Sequence, residues 1–424
     1  MKEIIVEFQK IVPEGKSLGK FNGKVVFAYG ILPYEKARVR IIKEKKNYLE
    51  AELCEIIEKS KDRIDIKEDH YLSCSPWQGF NYEKQIEIKE SLLKEIYFQY
   101  LRKEIEINGF EKAKKIFGYR TKIEFSFLKE DKIYLAFYKR GSNVEKIKLE
   151  NGCILGSEKM NLASLKIVER LNNINFPFKD LKGFMIRESK RFNKRLGVLF
   201  LLNKNMPKID LVENLDGLIL VYSFEKSPAF VFTEILNKIG DEFLKEKILD
   251  LEIYYGPESF FQNNIDLFEK VLIDIKNNCD KVNKIVELYS GVGSIILNLK
   301  DYSKKIYGVE IVKEACDFAQ INAEMNNIKN FKIINLAAEK LDFEFLKNTN
   351  ILVLDPPRTG LHKKVINLIL SSLPQKIIYL SCNPITQARD YSLLKEKYKI
   401  KFLKGYDFYP NTPHMESLLI LERI

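Results

Sequence analysis

Apolar and polar positions alternate with a period of two through much of residues 1–60, in the runs GKVVFAYG and KARVRIIK and over 48–57. That is the repeat of a strand with one buried face, so the segment is predicted as a small antiparallel β-barrel or sheet. Over 85–107 the period lengthens, and Ile86, Lys89, Leu93, Tyr97 and Leu101 fall on one face of a helix. Between about 110 and 250, strands are predicted at 119–127, 133–138, 183–188 and 196–202, with a helix near 157–171. From 251 onward the pattern becomes strand, loop, helix, strand, with KIVELY, KIYGVEI, FKIINL, NILVLD and KIIYLSC as the strands. This order predicts an α/β fold in which helices cover a parallel sheet. Three parts follow: a β-barrel over 1–60, a central α+β region over 61–250 and an α/β domain over 251–424.

The 424 residues are 46% hydrophobic and 12% aromatic, enough to bury the cores of two or three domains, which excludes a disordered chain. Lys and Arg number 70 against 59 Asp and Glu, a net charge of +11 that suits a polyanion such as nucleic acid. A general bias toward Lys, Ile and Asn accounts for the same charge without a ligand. The six cysteines stand at 54, 74, 153, 279, 316 and 382 with no CxxC pair, which argues against a zinc ribbon or a disulfide framework. They read as reduced thiols. The opening residues lack the apolar core of a signal peptide, and runs such as 196–202 are too short to cross a bilayer. A cytoplasmic location is expected, with no membrane partner.

Candidate chemistry concentrates after residue 280. The strand KIVELY runs into Tyr289-Ser290-Gly291-Val292-Gly293-Ser294 and then a predicted helical stretch at 295–300. Glycines at such a turn let a ligand approach the backbone at the carboxyl edge of the sheet. Glu310 ends the next strand 17 residues after Gly293, where an acid would hold the hydroxyl pair of a ribose. A dinucleotide site would carry a third glycine, but Ile296 occupies that position, which points to an adenosine cofactor without phosphates, commonly S-adenosylmethionine.

The strand NILVLD ends in Asp355-Pro356-Pro357-Arg358, whose prolines stiffen the loop. Twenty-seven residues after Asp355, KIIYLS ends at Cys382-Asn383-Pro384, so the thiol is expected beside Asp355 on one sheet edge. The segment from Tyr406 to Ser417, with His414 and Glu416, leads into a last apolar strand and returns to that edge. The chain has three histidines, so no multi-histidine metal site is predicted. A basic run over 182–195 holds Lys182, Arg187, Lys190, Arg191, Lys194 and Arg195 against Glu188. It reads equally as an RNA-gripping patch and as a solvated hairpin.

Together, ELYSGVG, GVE, DPPRTG, LSCNPITQARD and PNTPHMES resemble the RNA uracil-5-methyltransferases, which form 5-methyluridine in ribosomal and transfer RNA. The resemblance extends to GYRTK, LAFYKRGSN and ESFFQNN, and the first sixty residues resemble the TRAM barrel of ribosomal-RNA members. It implies a Rossmann-like methyltransferase domain, S-adenosylmethionine as methyl donor and RNA as partner. Carbon 5 of uracil is a poor nucleophile, so the family first adds a thiolate at carbon 6. By motif matching, Cys382 would be that nucleophile and Glu416 the base that removes the carbon 5 proton, with His414 a weaker candidate. Gln262, Tyr289, Glu310 and Asp355 would contact cofactor or base. Ser294 stands where several members have Asn, and Asn335 is a further candidate contact.

Ribosomal RNA is the expected substrate and transfer RNA the alternative. An exocyclic-amine methyltransferase, using the DPP loop to grip an amino group, is a further reading that leaves Cys382 unexplained. The chain is expected to act as a monomer. Many barrel-bearing members hold a four-iron cluster on four cysteines, but the corresponding stretch HYLSCSPWQGF offers Cys74, with Cys153 near the fourth position. Two thiols do not replace four ligands, so no cluster and no metal is expected, with Trp77 packing in its place.

Overall fold

The computed structural model describes residues 2–205, 207–228 and 230–424. Strands Glu3–Ile11, Ser17–Phe21, Lys24–Ala28, Lys36–Glu44 and Tyr48–Glu58 form a closed barrel. Ile4, Val6, Phe8, Val39 and Leu49 fill its interior, as the period of two requires. One pair departs from the antiparallel pattern, Lys24–Ala28 running parallel to Tyr48–Glu58. Strand directions cannot alternate all the way around a ring with an odd number of strands, so closure forces one parallel pair.

A seven-stranded sheet follows, in the order Glu234–Gly240, Gly217–Tyr222, Lys194–Leu201, Leu181–Ser189, Lys122–Lys129, Ile133–Tyr138 and Lys146–Leu149. The helix Glu158–Asn173 packs on it through Met160, Ala163 and Ile167. The basic run lies on its central hairpin and is not a free basic face. Arg187 and Arg195 are buried, Lys182 donates to the carbonyls of Phe224 (2.8 Å) and Ser227 (3.0 Å), and Lys190 pairs with Glu188. Arg191 reaches Asp266 at 2.9 Å and Lys194 reaches Asp216 at 2.9 Å. The partners of Arg191 and Lys194 are remote in sequence, which is why local charge counting leaves the run looking unbalanced.

The C-terminal sheet has eight strands in the order Phe331–Asn335, Ser303–Glu310, Val282–Leu288, Ile351–Leu354, Lys376–Ser381, Glu416–Arg423, Tyr398–Tyr406 and Phe110–Glu111. The first five run parallel and Glu416–Arg423 enters antiparallel to Lys376–Ser381. The strand order reverses between Val282–Leu288 and Ile351–Leu354, the switch point outside which α/β sheets bind ligands. Helices Ile265–Asn277, Lys313–Met325, Lys363–Ser372 and Pro384–Leu394 cover the faces.

Two elements of the 61–250 stretch pack with this sheet. The helix Tyr82–Leu101 lies on Pro384–Leu394, with the Tyr97 hydroxyl donating to Gln387 Oε1 at 2.9 Å, and Phe110–Glu111 pairs at the sheet edge. That helix stops six residues short of the predicted 107, because Arg102 turns left-handed at φ 56°. The helical stretch expected at 295–300 is a 3₁₀ helix, Ile296–Tyr302. There the Ile296 amide donates to the Glu287 carboxylate at 2.9 Å, away from the helical pattern. No described helix is long and apolar enough to cross a membrane.

Candidate active site

The cofactor side is built on the end of Val282–Leu288. Tyr289 and Gly291 take left-handed backbones, at φ 64° and 51°, and a Cβ placed on Gly291 would meet no atom within 4 Å. The turn therefore opens into space beside Asp355, which follows the paired strand end Leu288–Leu354. Glu310 braces the turn: its Oε2 accepts from the Gly291 amide at 3.0 Å and its Oε1 from Val312 at 2.8 Å. Each oxygen keeps a lone pair for a ribose hydroxyl. Asn335 donates to the carbonyls of Glu310 (3.0 Å) and Ile311 (2.9 Å), so it holds the acid's segment in place. The backbone carbonyl of Ser294 accepts from Asn298 at 3.0 Å.

Burial pushes the Asp355 carboxyl up to about 7. Glu287 lies fully buried beneath the same turn, and burial, reinforced by Asp355 and Glu310, holds its carboxyl well above the usual range. Sequence reasoning missed Glu287. Its signal is an acid inside the apolar run of a parallel strand, where both faces are covered.

The chemical side centres on Cys382. Ser381 pairs with Ser417 in the antiparallel ladder, and continuing that register by one residue puts Cys382 opposite Glu416. The Tyr409 hydroxyl donates to Glu416 Oε1 at 3.5 Å. Burial, with Asp355 nearby, raises the Glu416 carboxyl well above its ordinary value, against the pull of Arg358. Burial and Glu416 push the Cys382 thiol up to about 12, with Arg358 opposing. The thiol is thus protonated at rest. Its carbamidomethylation by iodoacetamide, followed by peptide mass mapping, is expected to rise about tenfold per pH unit from pH 7 to 10. A plateau near pH 8.5, the ordinary cysteine value, would contradict this.

A cleft of about 300 Å³ exposes Cys382 together with Arg358, Arg140 and His414, and the barrel contributes Pro13, Glu14 and Tyr29 to its wall. A second cavity of about 430 Å³ shares Arg140 and His414 and adds Arg120, Asn263 and Thr412. Burial, with Arg358, Lys89, Arg140 and Arg120 close by, lowers His414 to about 3, so its imidazole is neutral. Gln262 is buried in the adjoining connection, its carbonyl accepting from Thr121 Oγ1 at 2.9 Å. The Asp355–Arg358 loop is anchored from the cap of the helix Pro384–Leu394, Asn383 Nδ2 donating to the Arg358 carbonyl at 2.9 Å.

The loop 407–415 carrying His414 is held by the helix Tyr82–Leu101. Lys89 forms a fully buried ion pair with Asp407 and donates to the Tyr409 carbonyl at 3.2 Å, while the Gln85 amide donates to Asn411 Oδ1 at 3.0 Å. Sequence reasoning set Lys89 on the helix face but gave neither it nor Gln85 a role. A lysine on the apolar face of the helix was the available signal. On the other side, Gly15 (φ 81°) of the barrel touches Pro413: a Cβ on it would lie 2.0 Å from the proline Cβ.

The chain resembles known proteins over nearly its whole length. Residues 238–424 match the family model of tRNA (uracil-5-)-methyltransferases and residues 1–54 that of the TRAM domain. An uncharacterised RNA methyltransferase of Fusobacterium nucleatum is 31% identical over 99% of this chain and 96% of its own length. One of Prochlorococcus marinus is 32% identical, covering 93% of this chain and all of its own length. The Pyrococcus abyssi tRNA (uracil-54, C5)-methyltransferase, solved with S-adenosyl-L-homocysteine, superposes with a TM-score of 0.78 at 23% identity, over 99% of this chain and 100% of that one. The chain belongs to the RNA uracil-5-methyltransferase family.

Proposed function

We propose that this protein methylates carbon 5 of a uridine in RNA through a covalent adduct with Cys382. The observation that carries the reading is the ladder register that sets the thiol opposite a buried carboxylate, Glu416, beside the end of the Asp355 strand. The Cys382 thiol gives up its proton to solvent, its sulfur adds to carbon 6, and the ring electrons shift toward the carbon 4 oxygen, making carbon 5 nucleophilic. S-adenosylmethionine, when bound, supplies the electrophilic methyl group that carbon 5 takes up. Glu416 then accepts the carbon 5 proton, the double bond re-forms, and the thiolate leaves. The raised basicity of the buried carboxylate suits it to that task.

The residues on the cofactor side fit that donor. Gly291 leaves open space, Glu310 retains acceptor capacity for a ribose, and Asp355 supplies acidic character for a cationic sulfonium and ammonium. Tyr289 and Gln262 complete the set proposed to contact cofactor or base. Arg358, Arg140 and Arg120 line the two cavities and suit the phosphates flanking a base that has left its stack.

The barrel favours ribosomal RNA in the cytoplasm, with the protein acting as a monomer. The full-length likeness to a transfer-RNA enzyme favours transfer RNA as a second reading. RNA carrying 5-fluorouridine has no carbon 5 proton to lose and is expected to remain covalently attached, with Cys382→Ala abolishing the adduct. RNA that binds without attaching would overturn the cysteine mechanism and leave the exocyclic-amine reading. Mapping 5-methyluridine in ribosomal and transfer RNA from cells lacking the gene then names the substrate.

A further inference from the structure

Beside the second cavity, whose wall includes Cys74, the structure brings together four side chains that counting cysteines does not reveal. A carboxylate oxygen of Glu68, a ring nitrogen of His70 and the sulfurs of Cys74 and Cys153 all lie within 4.8 Å of one another. His70 and Cys153 are buried, and the His70 Nε2 and Glu68 Oε2 atoms have no hydrogen-bond partner although they stand 3.3 Å apart. That separation is the edge of a tetrahedron whose metal bonds are about 2.0–2.1 Å long. Two buried polar atoms facing each other unsatisfied call for a third group between them.

The surroundings hold the donors in place. Glu68 Oε1 accepts from the Ile154 amide at 2.6 Å, and Asn161 clamps Cys153 through both its amide (2.9 Å) and its carbonyl (3.0 Å). Such outer contacts orient ligands at metal centres. A four-iron cluster does not fit, because it takes four thiolates and these donors include two. Trp77 stacks on Phe80 with its indole nitrogen donating to the Gly15 carbonyl.

We propose that Glu68, His70, Cys74 and Cys153 bind one zinc ion as a closed four-coordinate site. Thiolate, imidazole and carboxylate together are a donor set that zinc accepts, and each ligating thiol releases its proton to solvent. The ion ties residues 68–74, which follow the barrel, to Cys153 ahead of the helix Glu158–Asn173. Its role is structural, yet it bears on the cleft: Arg140 Nε donates to the Leu72 carbonyl at 2.6 Å, within the tethered segment.

The test is metal analysis of the full chain purified anaerobically, followed by chelator stripping and titration with cobalt(II). About one zinc per chain is expected, and cobalt should give the intense visible bands of a tetrahedral site with sulfur charge transfer, displaced by added zinc. Cys153→Ser and His70→Asn should each weaken zinc binding on the order of a hundredfold or more, beyond the cost of losing an outer contact, while Cys279→Ser should not. The cobalt spectrum of the unsubstituted chain decides the matter should a variant fail to fold. Octahedral cobalt bands, unchanged affinity in Cys153→Ser, four irons with sulfide, or a Cys74–Cys153 disulfide in the native protein would each overturn the proposal.

Discussion

Glu416→Gln is expected to leave a protein that attacks uracil but does not release it. The glutamine preserves shape and keeps an acceptor for the Tyr409 hydroxyl, but it cannot take the carbon 5 proton. Turnover should fall by about 10²–10⁴-fold, the usual contribution of a positioned base. On ordinary uridine RNA with S-adenosylmethionine, a methylated protein–RNA adduct should accumulate, visible as a denaturation-resistant band, and Cys382→Ala should give none. The contrast with fluorinated RNA is informative, since there the substrate lacks the proton and here the protein lacks the acceptor. Turnover close to that of the unsubstituted protein would remove Glu416 from its role. If Glu416→Gln gave no adduct while the fluorinated trap still worked, a step before proton removal would depend on Glu416.

Lys89→Ala should destabilise the fold by about 3–5 kcal/mol, because it leaves Asp407 charged and buried without its partner. The double substitution Lys89→Met and Asp407→Leu should recover most of that loss, since replacing both members of a buried pair by apolar groups is often near neutral. Denaturant unfolding of the two variants beside the unsubstituted chain measures the difference. A single-variant loss below about 1 kcal/mol would mean that water reaches Asp407 and that the pair does not fix the loop. Activity should fall in Lys89→Ala as well, because the same ammonium holds the Tyr409 carbonyl two residues along from Asp407.

Among the five parallel strands of the C-terminal sheet, Ile351–Leu354 and Lys376–Ser381 were the most legible in the sequence, because burial on both faces makes them continuous apolar runs. The glycine turn, Asp355 and Cys382 follow at strand ends, so local text located them. Tyr398–Tyr406 was harder: its lysines at 399 and 401 alternate as on a solvated face, but a bulge between Ile400 and Phe402 breaks the period before Lys404. Phe110–Glu111 is two residues long and exists only by pairing with Tyr406 and its neighbour. What the sequence hid most completely were pairings across long separations. Lys89 and Asp407 are 318 residues apart, and Arg191 meets acids on a helix 75 residues away. Counting cysteines likewise passed over Glu68 and His70, whose proximity to Cys153 depends on how the central sheet folds back.

The contact between Gly15 and Pro413 has a consequence for how such a protein could change its target. The turn of the barrel rests against the segment that carries His414, one residue from the proline, and barrel residues wall the cleft that exposes Cys382. The barrel is therefore no detachable adaptor: exchanging it for another would shift the geometry of the bond-making groups along with the choice of RNA. Retargeting would have to alter side chains on the barrel's outer face while leaving this seam intact, so the two ends of the chain are constrained to change together.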